Sequence, residues 1–213
     1  GLRSGLNLYA NVRPIKLFPG VKHKIHSEFS QVWDPEKVDI LVLRENTEGL
    51  YHSLLRRSAL RAQGKEMPEA NGMTFDGLEG EVAWDVRPIS KNGTEKLIRL
   101  GFEYARRRNG APNDGVSSVT CVDKSNVTRG CQLFRRVFHE IGKGYPDIKR
   151  DEAYIDAFTM WMVRNPEWFD VVVTSNMFGD ILTDLGSVLQ GGMGMAASAN
   201  IGDNHALFEP VHG

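Results

Sequence analysis

The chain has 213 residues, with 26 Lys and Arg against 27 Asp and Glu and a formal net charge of -1. This length is enough to bury a substantial core, and the near-zero charge excludes a global positive field that would recruit nucleic acid or anionic lipid. With 41% hydrophobic and 25% charged residues, the composition is that of a folded globular protein and not of a disordered or fibrous one.

Three short runs rich in β-branched residues predict buried strands at 38–43, 116–122 and 171–174. Amphipathic stretches between and after them predict helices over about 94–108, 127–141 and 177–189. Thr94 is a candidate cap for the first of these helices, and Gly110 ends it. This alternation predicts an α/β fold.

The segment 52–84 differs from the rest of the chain, because it combines Arg56, Arg57 and Arg61 with several glycines and a proline. It predicts an excursion from the main sheet, either a mobile loop or an arm that embraces a second subunit. Its arginines could contact phosphate, but a solvated face is the favoured explanation.

The cysteine count indicates the cellular compartment of the protein. Cys121 and Cys131 are too few for a disulfide framework and lack zinc-site spacing, so we expect both to be buried in a protein of the reducing cytoplasm. The sequence has no run of about 18 apolar residues and no basic-then-apolar leader, which argues against a membrane span or signal peptide. Because residue 1 is Gly, we expect both ends to be cut from a longer protein.

Polar side chains follow all three predicted strands, where ligands bind in open α/β sheets. Any one such stretch could be a chance loop, but three in register predict a functional site. They are residues 44–48, residues 123–126, and Ser175, Asn176, Asp180 and Asp184.

Arginines and aspartates are the candidate binding groups. Arg3, Arg13 and Arg44, if they converge, suit a di- or tricarboxylic acid, because a guanidinium matches a carboxylate with two parallel hydrogen bonds. Asp180 and Asp184 lie four residues apart on a predicted helix, so they either repel each other in water or share a divalent cation. The list of candidate metal ligands adds Asp156, and an all-oxygen set favours Mg²⁺ or Mn²⁺ over zinc.

Two residues are candidates for proton transfer. Lys124 follows a predicted strand and could act as a general base if burial and a nearby metal lower its pKa; otherwise it is a surface lysine. Tyr51 could donate a proton or be a half-buried aromatic residue.

The glycine-rich stretch 191–197 contains a G-x-G-x-x-A match, but it follows a predicted helix, whereas a dinucleotide fingerprint follows a strand. We therefore reject a Rossmann cofactor site. The P-loop and serine-hydrolase signatures do not occur either.

Six motifs spread over nearly the whole chain resemble the isocitrate/3-isopropylmalate dehydrogenase family of metal-dependent β-decarboxylating dehydrogenases. They are Leu2-Arg3 with residues 8–14 (LYANVRP), residues 44–51 (RENTEGLY), 123–127 (DKSNV), 176–185 (NMFGDILTDL), 198–202 (SANIG) and 208–213 (FEPVHG). The resemblance implies an isopropylmalate dehydrogenase-like fold, a mixed sheet flanked by helices with a non-Rossmann cofactor site. It also implies three units: residues 1–37 as part of a cofactor-side domain and linker, 38–190 as a central substrate and dimerisation domain, and 191–213 as a truncated return to the cofactor side.

The resemblance also implies roles for the matching residues. Arg3, Arg13 and Arg44 would bind the substrate carboxylates, and Lys124 and Tyr51 would be the acid-base pair. Asp156, Asp180 and Asp184 would hold Mg²⁺ or Mn²⁺, with Lys124 and Asp156 contributed by the neighbouring subunit of a homodimer. The residues expected to bind NAD, or NADP, are Asn126, Glu209, His212 and Gly213.

These implications predict an NAD(P)-dependent oxidative decarboxylase of a 2-hydroxy acid with a β-carboxylate, 3-isopropylmalate being favoured. Isocitrate, homoisocitrate and tartrate or D-malate are the alternative substrates, and Glu48 slightly favours isocitrate-like or broad-specificity members. Two other readings stay open. The chain could belong to a non-catalytic regulatory subunit, or it could be a fragment that binds substrate and metal without turnover.

Overall fold

The computed structural model describes residues 5–65, 83 and 85–211. The predicted site residues Arg3, His212 and Gly213 and most of the predicted excursion at 52–84 therefore lie outside the described residues. The excursion begins as an α-helix, α1, which spans Leu50–Ala62.

The described elements alternate as the sequence predicts. The strands are β1 (Ala10–Lys16), β2 (His23–Ile25), β3 (Glu28–Ser30), β4 (Asp39–Glu45), β5 (Ser118–Asp123), β6 (Lys149–Tyr154), β7 (Val171–Thr174), β8 (Ala197–Ile201) and β9 (Ala206–Pro210). After α1, the helices are α2 (Lys91–Arg107), α3 (Arg129–Gly142), α4 (Ile155–Arg164) and α5 (Asn176–Leu189).

Among the described residues, seven strands form one mixed sheet in the order β6-β5-β7-β4-β1-β8-β9, and β2 pairs with β3 separately. Strands β4 to β7 are parallel, while β1 lies antiparallel between β4 and β8. The predicted α/β class and mixed sheet are confirmed. The three predicted units contribute strands to this one sheet, and their division into domains stays a prediction.

Helices cover both faces of the sheet, which explains why its central strands are continuous apolar runs. On one face, Phe102 of α2 stacks on Phe138 of α3 and on Tyr145, with ring centroids 5.6 and 4.6 Å apart. On the other face, Phe158 of α4 and Leu182 of α5 are fully buried against the strands. The edge strand β6 is mostly exposed.

Three predicted boundaries need correction. The first strand continues through Arg44 and Glu45 because β1 pairs with it along its whole length. The second begins at Ser118, and Val116 is 42% exposed. Helix α2 is capped by Ser90, whose hydroxyl accepts from the Gly93 N–H at 3.1 Å, and the predicted cap Thr94 instead lies in the first turn.

The glycine-rich stretch ends α5 and does not follow a strand. Gly191 and Gly192 have φ values of +104° and +116°, which glycine adopts without steric cost, and a short 3-10 turn, Met193–Met195, comes next. Both cysteines are buried and free, as predicted. None of the helices in the described ranges combines the length and apolar character needed to cross a membrane.

Candidate active site

Arg44 lies at the carboxyl end of β4, beside the end of the parallel strand β7. Its side chain is almost fully buried, and its guanidinium donates hydrogen bonds to two residues of α5. Nε and Nη2 both donate to Oδ1 of Asn176, at 3.0 and 2.8 Å, and Nη1 donates to a carboxylate oxygen of Asp180. The start of α5 therefore fixes Arg44, because α5 begins directly after β7.

Arg13 reaches the same place from the antiparallel neighbour β1. Its Nη1 donates to the Thr183 hydroxyl at 2.5 Å and lies 3.7 Å from Asp184 Oδ1, while Nη2 lies 3.7 Å from Asp180 Oδ1. Asp180 and Asp184 are one helical turn apart on α5, so both carboxylates meet the same guanidinium. The positive charges of Arg13 and Arg44 offset the repulsion between the two carboxylates.

Tyr51, in the first turn of α1, completes this cluster. Its hydroxyl donates to Asp180 Oδ2 at 2.5 Å, and its ring centroid lies 5.3 Å from Arg44 Cζ. The hydrogen bond to Asp180, helped by burial, raises the pKa of Tyr51. The phenol therefore keeps its proton and can act as a donor.

The structure thus brings together five of the predicted site residues, the Arg44 cluster: Arg13, Arg44, Tyr51, Asp180 and Asp184. The guanidinium groups are buried, whereas the side chains of Asp180 and Asp184 are 31% and 42% exposed. A site with buried cations beneath solvent-facing carboxylates can bind an anionic ligand and a divalent cation side by side.

The carboxylates of the Arg44 cluster fit a hard divalent cation in their chemistry. Asp180 and Asp184 offer oxygen ligands only, and Mg²⁺ is commonly held by one or two carboxylates while it keeps several waters. The third predicted ligand, Asp156, does not join them within one chain, since the described residues contain no group of three or more His, Cys, Asp or Glu able to hold a metal.

Lys124 and Asp156 form a second pair at the ends of the neighbouring parallel strands β5 and β6. Lys124 Nζ lies 2.7 Å from Asp156 Oδ1, and this contact lowers the pKa of Asp156. In the described part of the chain, no hydrogen bond or ion pair joins them to the Arg44 cluster. The structure therefore groups the predicted catalytic residues into two sets.

Asn126 and Glu209, the predicted cofactor-binding residues that the structure describes, lie elsewhere. Asn126 is exposed in the turn after β5. Glu209 on β9 accepts from Asn200 Nδ2 at 2.8 Å, and Asn200 also accepts from Asn11 and Asn46, at 3.0 Å each. This buried amide network joins β1, β8 and the turn after β4. Sequence reasoning missed it, because isolated asparagines have no periodicity.

Asn176 and Thr183 each hold an arginine of the Arg44 cluster; sequence reasoning did not single out Thr183, and it placed Asn176 in the polar stretch after the third predicted strand without giving it a role. Thr183 is three residues from Asp180 and one from Asp184, so its helical position could have suggested contact with the same ligand. Asn176 directly follows β7, where ligand-binding groups gather.

Gly179 lies at a close approach of α5 to β4. A Cβ atom there would lie 2.6 Å from Cβ and Cγ of Arg44 and 3.1 Å from Thr174 Cγ2. We expect Gly179→Ala to lower the free energy of unfolding by about 1–3 kcal/mol, measured by urea denaturation, because the crowded backbone and Arg44 must shift. Gly194→Ala, whose Cβ would meet no atom within 4 Å, is the matched control. Equal stabilities for the two variants would contradict the close approach.

Glu45 predicts a pH dependence of stability. It is 4% exposed, and its carboxylate accepts from the N–H and hydroxyl of Thr47 and from the N–H of Glu48, at 2.7 Å each. Burial nevertheless raises the pKa of Glu45 above its ordinary value. In the interval between the two values the unfolded chain has lost the proton and the folded chain has kept it, so stability falls as pH rises.

Glu45→Gln removes this titration. We therefore expect the stability difference, wild type minus variant, to decrease as pH rises through that interval and to be constant above it, in urea denaturation at successive pH values. Comparing how the two stabilities change with pH removes the pH-independent effect of replacing the Glu45 carboxylate, which accepts hydrogen bonds, by an amide. A difference that rises with pH would contradict the raised pKa.

The chain matches known proteins along its whole length. The isocitrate/isopropylmalate dehydrogenase family model covers residues 1–213. The chain is 42% identical to homoisocitrate dehydrogenase and 40% identical to 3-isopropylmalate/3-methylmalate dehydrogenase, both of Methanocaldococcus jannaschii. All of the chain is covered in these matches, against 53% and 54% of the relatives.

The structural comparison agrees. The crystal structure of isocitrate dehydrogenase from Methylococcus capsulatus matches with a TM-score of 0.76 and 39% identity, covering 100% of this chain and 53% of that one. The chain thus spans about half the length of the relatives it matches. With both the resemblance and the fold confirmed, the chain belongs to the isocitrate/isopropylmalate dehydrogenase family.

Proposed function

We propose that the protein catalyses the oxidative decarboxylation of a 2-hydroxy acid with a β-carboxylate, with NAD or NADP and Mg²⁺ or Mn²⁺, and that 3-isopropylmalate is the favoured substrate. The observation that carries this proposal is the Arg44 cluster, in which two buried arginines, two carboxylates and a protonated tyrosine converge. The names of the relatives support the substrate class, and they keep homoisocitrate and isocitrate as alternatives. Tartrate and D-malate complete the set.

The arginines bind the substrate, and Lys124 and Tyr51 transfer protons. Arg13 and Arg44 bind the malate-like carboxylates through their guanidinium groups and orient C2 and C3. Lys124 takes the proton of the C2 hydroxyl as that carbon is oxidised, the bond between C3 and the β-carboxylate breaks to release CO₂, and Tyr51 gives its proton to C3. When bound, NAD(P) would supply a hydride acceptor, and a divalent cation held by Asp180 and Asp184 would supply a Lewis acid.

The two sets of catalytic residues support a homodimer with shared sites. In this proposal Lys124 and Asp156 act at the Arg44 cluster of the partner, where Asp156 would be the third metal ligand. The outer faces of α4 and α5 carry exposed apolar side chains suited to such an interface, Met160, Ile181 and Val188 at 45%, 57% and 42% exposure. Asn126, Glu209, His212 and Gly213 are the proposed cofactor contacts.

The test is NADH and NADPH formation by the complete gene product with Mg²⁺, across 3-isopropylmalate, isocitrate, homoisocitrate, D-malate and tartrate. We expect turnover of one acid, 3-isopropylmalate first, that disappears with EDTA and returns with excess Mg²⁺. Turnover that persists in EDTA would contradict the metal site. A folded protein that oxidises none of the acids would overturn the proposal and favour a non-catalytic subunit.

A further inference from the structure

Asn176 occupies the junction between the Arg44 cluster and the rest of the fold. It is the first residue of α5 and is 2% exposed. Its Oδ1 accepts from two nitrogens of Arg44, and its Nδ2 donates to the backbone carbonyl of Glu48 at 2.9 Å. Both ends of the amide are therefore in use, across more than 120 residues of sequence.

The carbonyl that receives Asn176 belongs to a well-held turn. The Glu48 carboxylate accepts from the N–H of Ser90 at 2.8 Å and from the Ser90 hydroxyl. Ser90 caps α2, so the turn after β4 is fastened to the start of that helix. Asn176 consequently ties the Arg44 guanidinium to a rigid support and not to another mobile side chain.

The choice of an amide has a chemical reason. The amide carries its acceptor and its donor on separate atoms, so it accepts from the guanidinium through Oδ1 and donates to the carbonyl through Nδ2 at the same time. An amide is also neutral, so it orients Arg44 without cancelling the positive charge that would attract a substrate carboxylate. Without it, the freed Nε and Nη2 of Arg44 would be left without this acceptor, and the nearby Asp180 carboxylate would compete for them.

We propose that Asn176 is a positioning residue that fixes the Arg44 guanidinium with its Nη1 side toward the partly exposed Asp180, where the acid substrate would bind, and so sets the affinity for a substrate carboxylate. This inference rests on the proposed function, because the substrate is the one proposed above. It adds a residue that acts through Arg44 and does not itself contact the reacting atoms.

The kinetic test uses Asn176→Ala in the complete gene product. We expect KM for the acid to rise about tenfold or more, while kcat changes less than threefold. In an Arg44→Lys background, which lacks the forked guanidinium, the same substitution should raise KM less than threefold further. An unchanged KM, or the same increase in both backgrounds, would overturn the proposal.

Two further variants separate positioning from general damage. Tyr145→Phe removes a partly buried hydroxyl that donates to Glu103 at 3.0 Å on the α2–α3 face, and it should leave KM unchanged. Asn176→Asp keeps an acceptor for Arg44 but adds a negative charge, so it should also raise KM about tenfold. A normal KM for Asn176→Asp would show that the neutrality of the amide is irrelevant and would overturn that part of the argument.

A readout independent of activity is the solvent exchange of the Arg44 Nε–H, followed by NMR with ¹⁵N-labelled arginine and assigned by its loss in Arg44→Lys. We expect slow exchange in the wild type and in Asn176→Asp, and exchange at least tenfold faster in Asn176→Ala. Equal exchange in all three would overturn the positioning role. This measurement needs no substrate. It therefore tests the role of Asn176 even if the protein oxidises none of the acids and the proposed function is wrong.

Discussion

Replacing Arg108 by methionine is expected to lower the free energy of unfolding by about 3–5 kcal/mol, measured by urea denaturation at neutral pH. Arg108 ends α2, and its Nε donates to Asp170 Oδ1 at 2.6 Å, while Nη2 donates to the Asp39 carbonyl and carboxylate at 2.7 and 2.8 Å. Asp170 is fully buried, so the substitution leaves a carboxylate without its cation in the interior.

The loss should depend on pH in a defined direction. Burial raises the pKa of Asp170 even with Arg108 in place, and removal of the cation raises it further. Because the folded variant holds this proton more tightly than the unfolded chain does, its stability deficit grows as pH rises above the ordinary range of an aspartate. A deficit below about 1 kcal/mol at neutral pH would show that the ion pair is not needed.

Arg136→Met is the matched control for this prediction. Arg136 is 64% exposed and lies 3.8 Å from Glu140 on the same face of α3. Exposed ion pairs of this kind contribute little, so we expect a change of less than about 0.5 kcal/mol. The contrast between the two arginines isolates the effect of burial.

Lys124→Ala is expected to lower kcat by about 10²–10⁴-fold, the range for loss of a general base. KM for the acid should change much less, because the arginines of the Arg44 cluster keep its carboxylates in place. The measurement is steady-state turnover by the complete gene product at saturating acid and cofactor. Lys149→Ala, on the exposed strand β6, should retain full turnover.

Unchanged turnover of every acid in Lys124→Ala would contradict the proposed mechanism. A fall confined to KM would instead place Lys124 in substrate binding. Heterodimers that combine Lys124→Ala with Arg44→Ala chains test the shared site, since pairing the two defective chains should restore one working site per dimer. Heterodimers without turnover would contradict the exchange of residues between subunits.

The sheet was predictable from sequence to the extent that its strands are apolar runs. Val171–Thr174 agrees at both ends, because all four residues are buried by neighbouring strands and helices. The polar end of β4 was not predictable as strand, since Arg44 and Glu45 are placed there by pairing with β1 and by partners distant in sequence. The cap of α2 was not predicted for a similar reason. Ser90 is held there by a hydrogen bond to Glu48, which lies in the turn after β4.

The candidate site was predictable where charged residues repeat at helical spacing or belong to a motif, as for Asp180, Asp184 and Arg44. The roles of the residues that hold the arginines were not predictable, although Asn176 lies in a polar stretch that the sequence assigns to the site. Asn176 and Thr183 are neutral, and their importance arises from hydrogen bonds to arginines 132 and 170 residues away. No local pattern encodes such a partner, so only the folded chain identifies it.

The position of β1 between β4 and β8 has a consequence for the order of folding. Arg13 and Thr183, and likewise Arg44 and Asn176, lie more than 130 residues apart in the sequence, and closing such long loops is slow. We therefore expect the arginines to form one binding surface late in folding. A ligand that contacts both arginines binds only the state in which β1 is paired with β4 and β8. Its binding free energy therefore stabilises the protein against any partial unfolding that separates β1 from these strands.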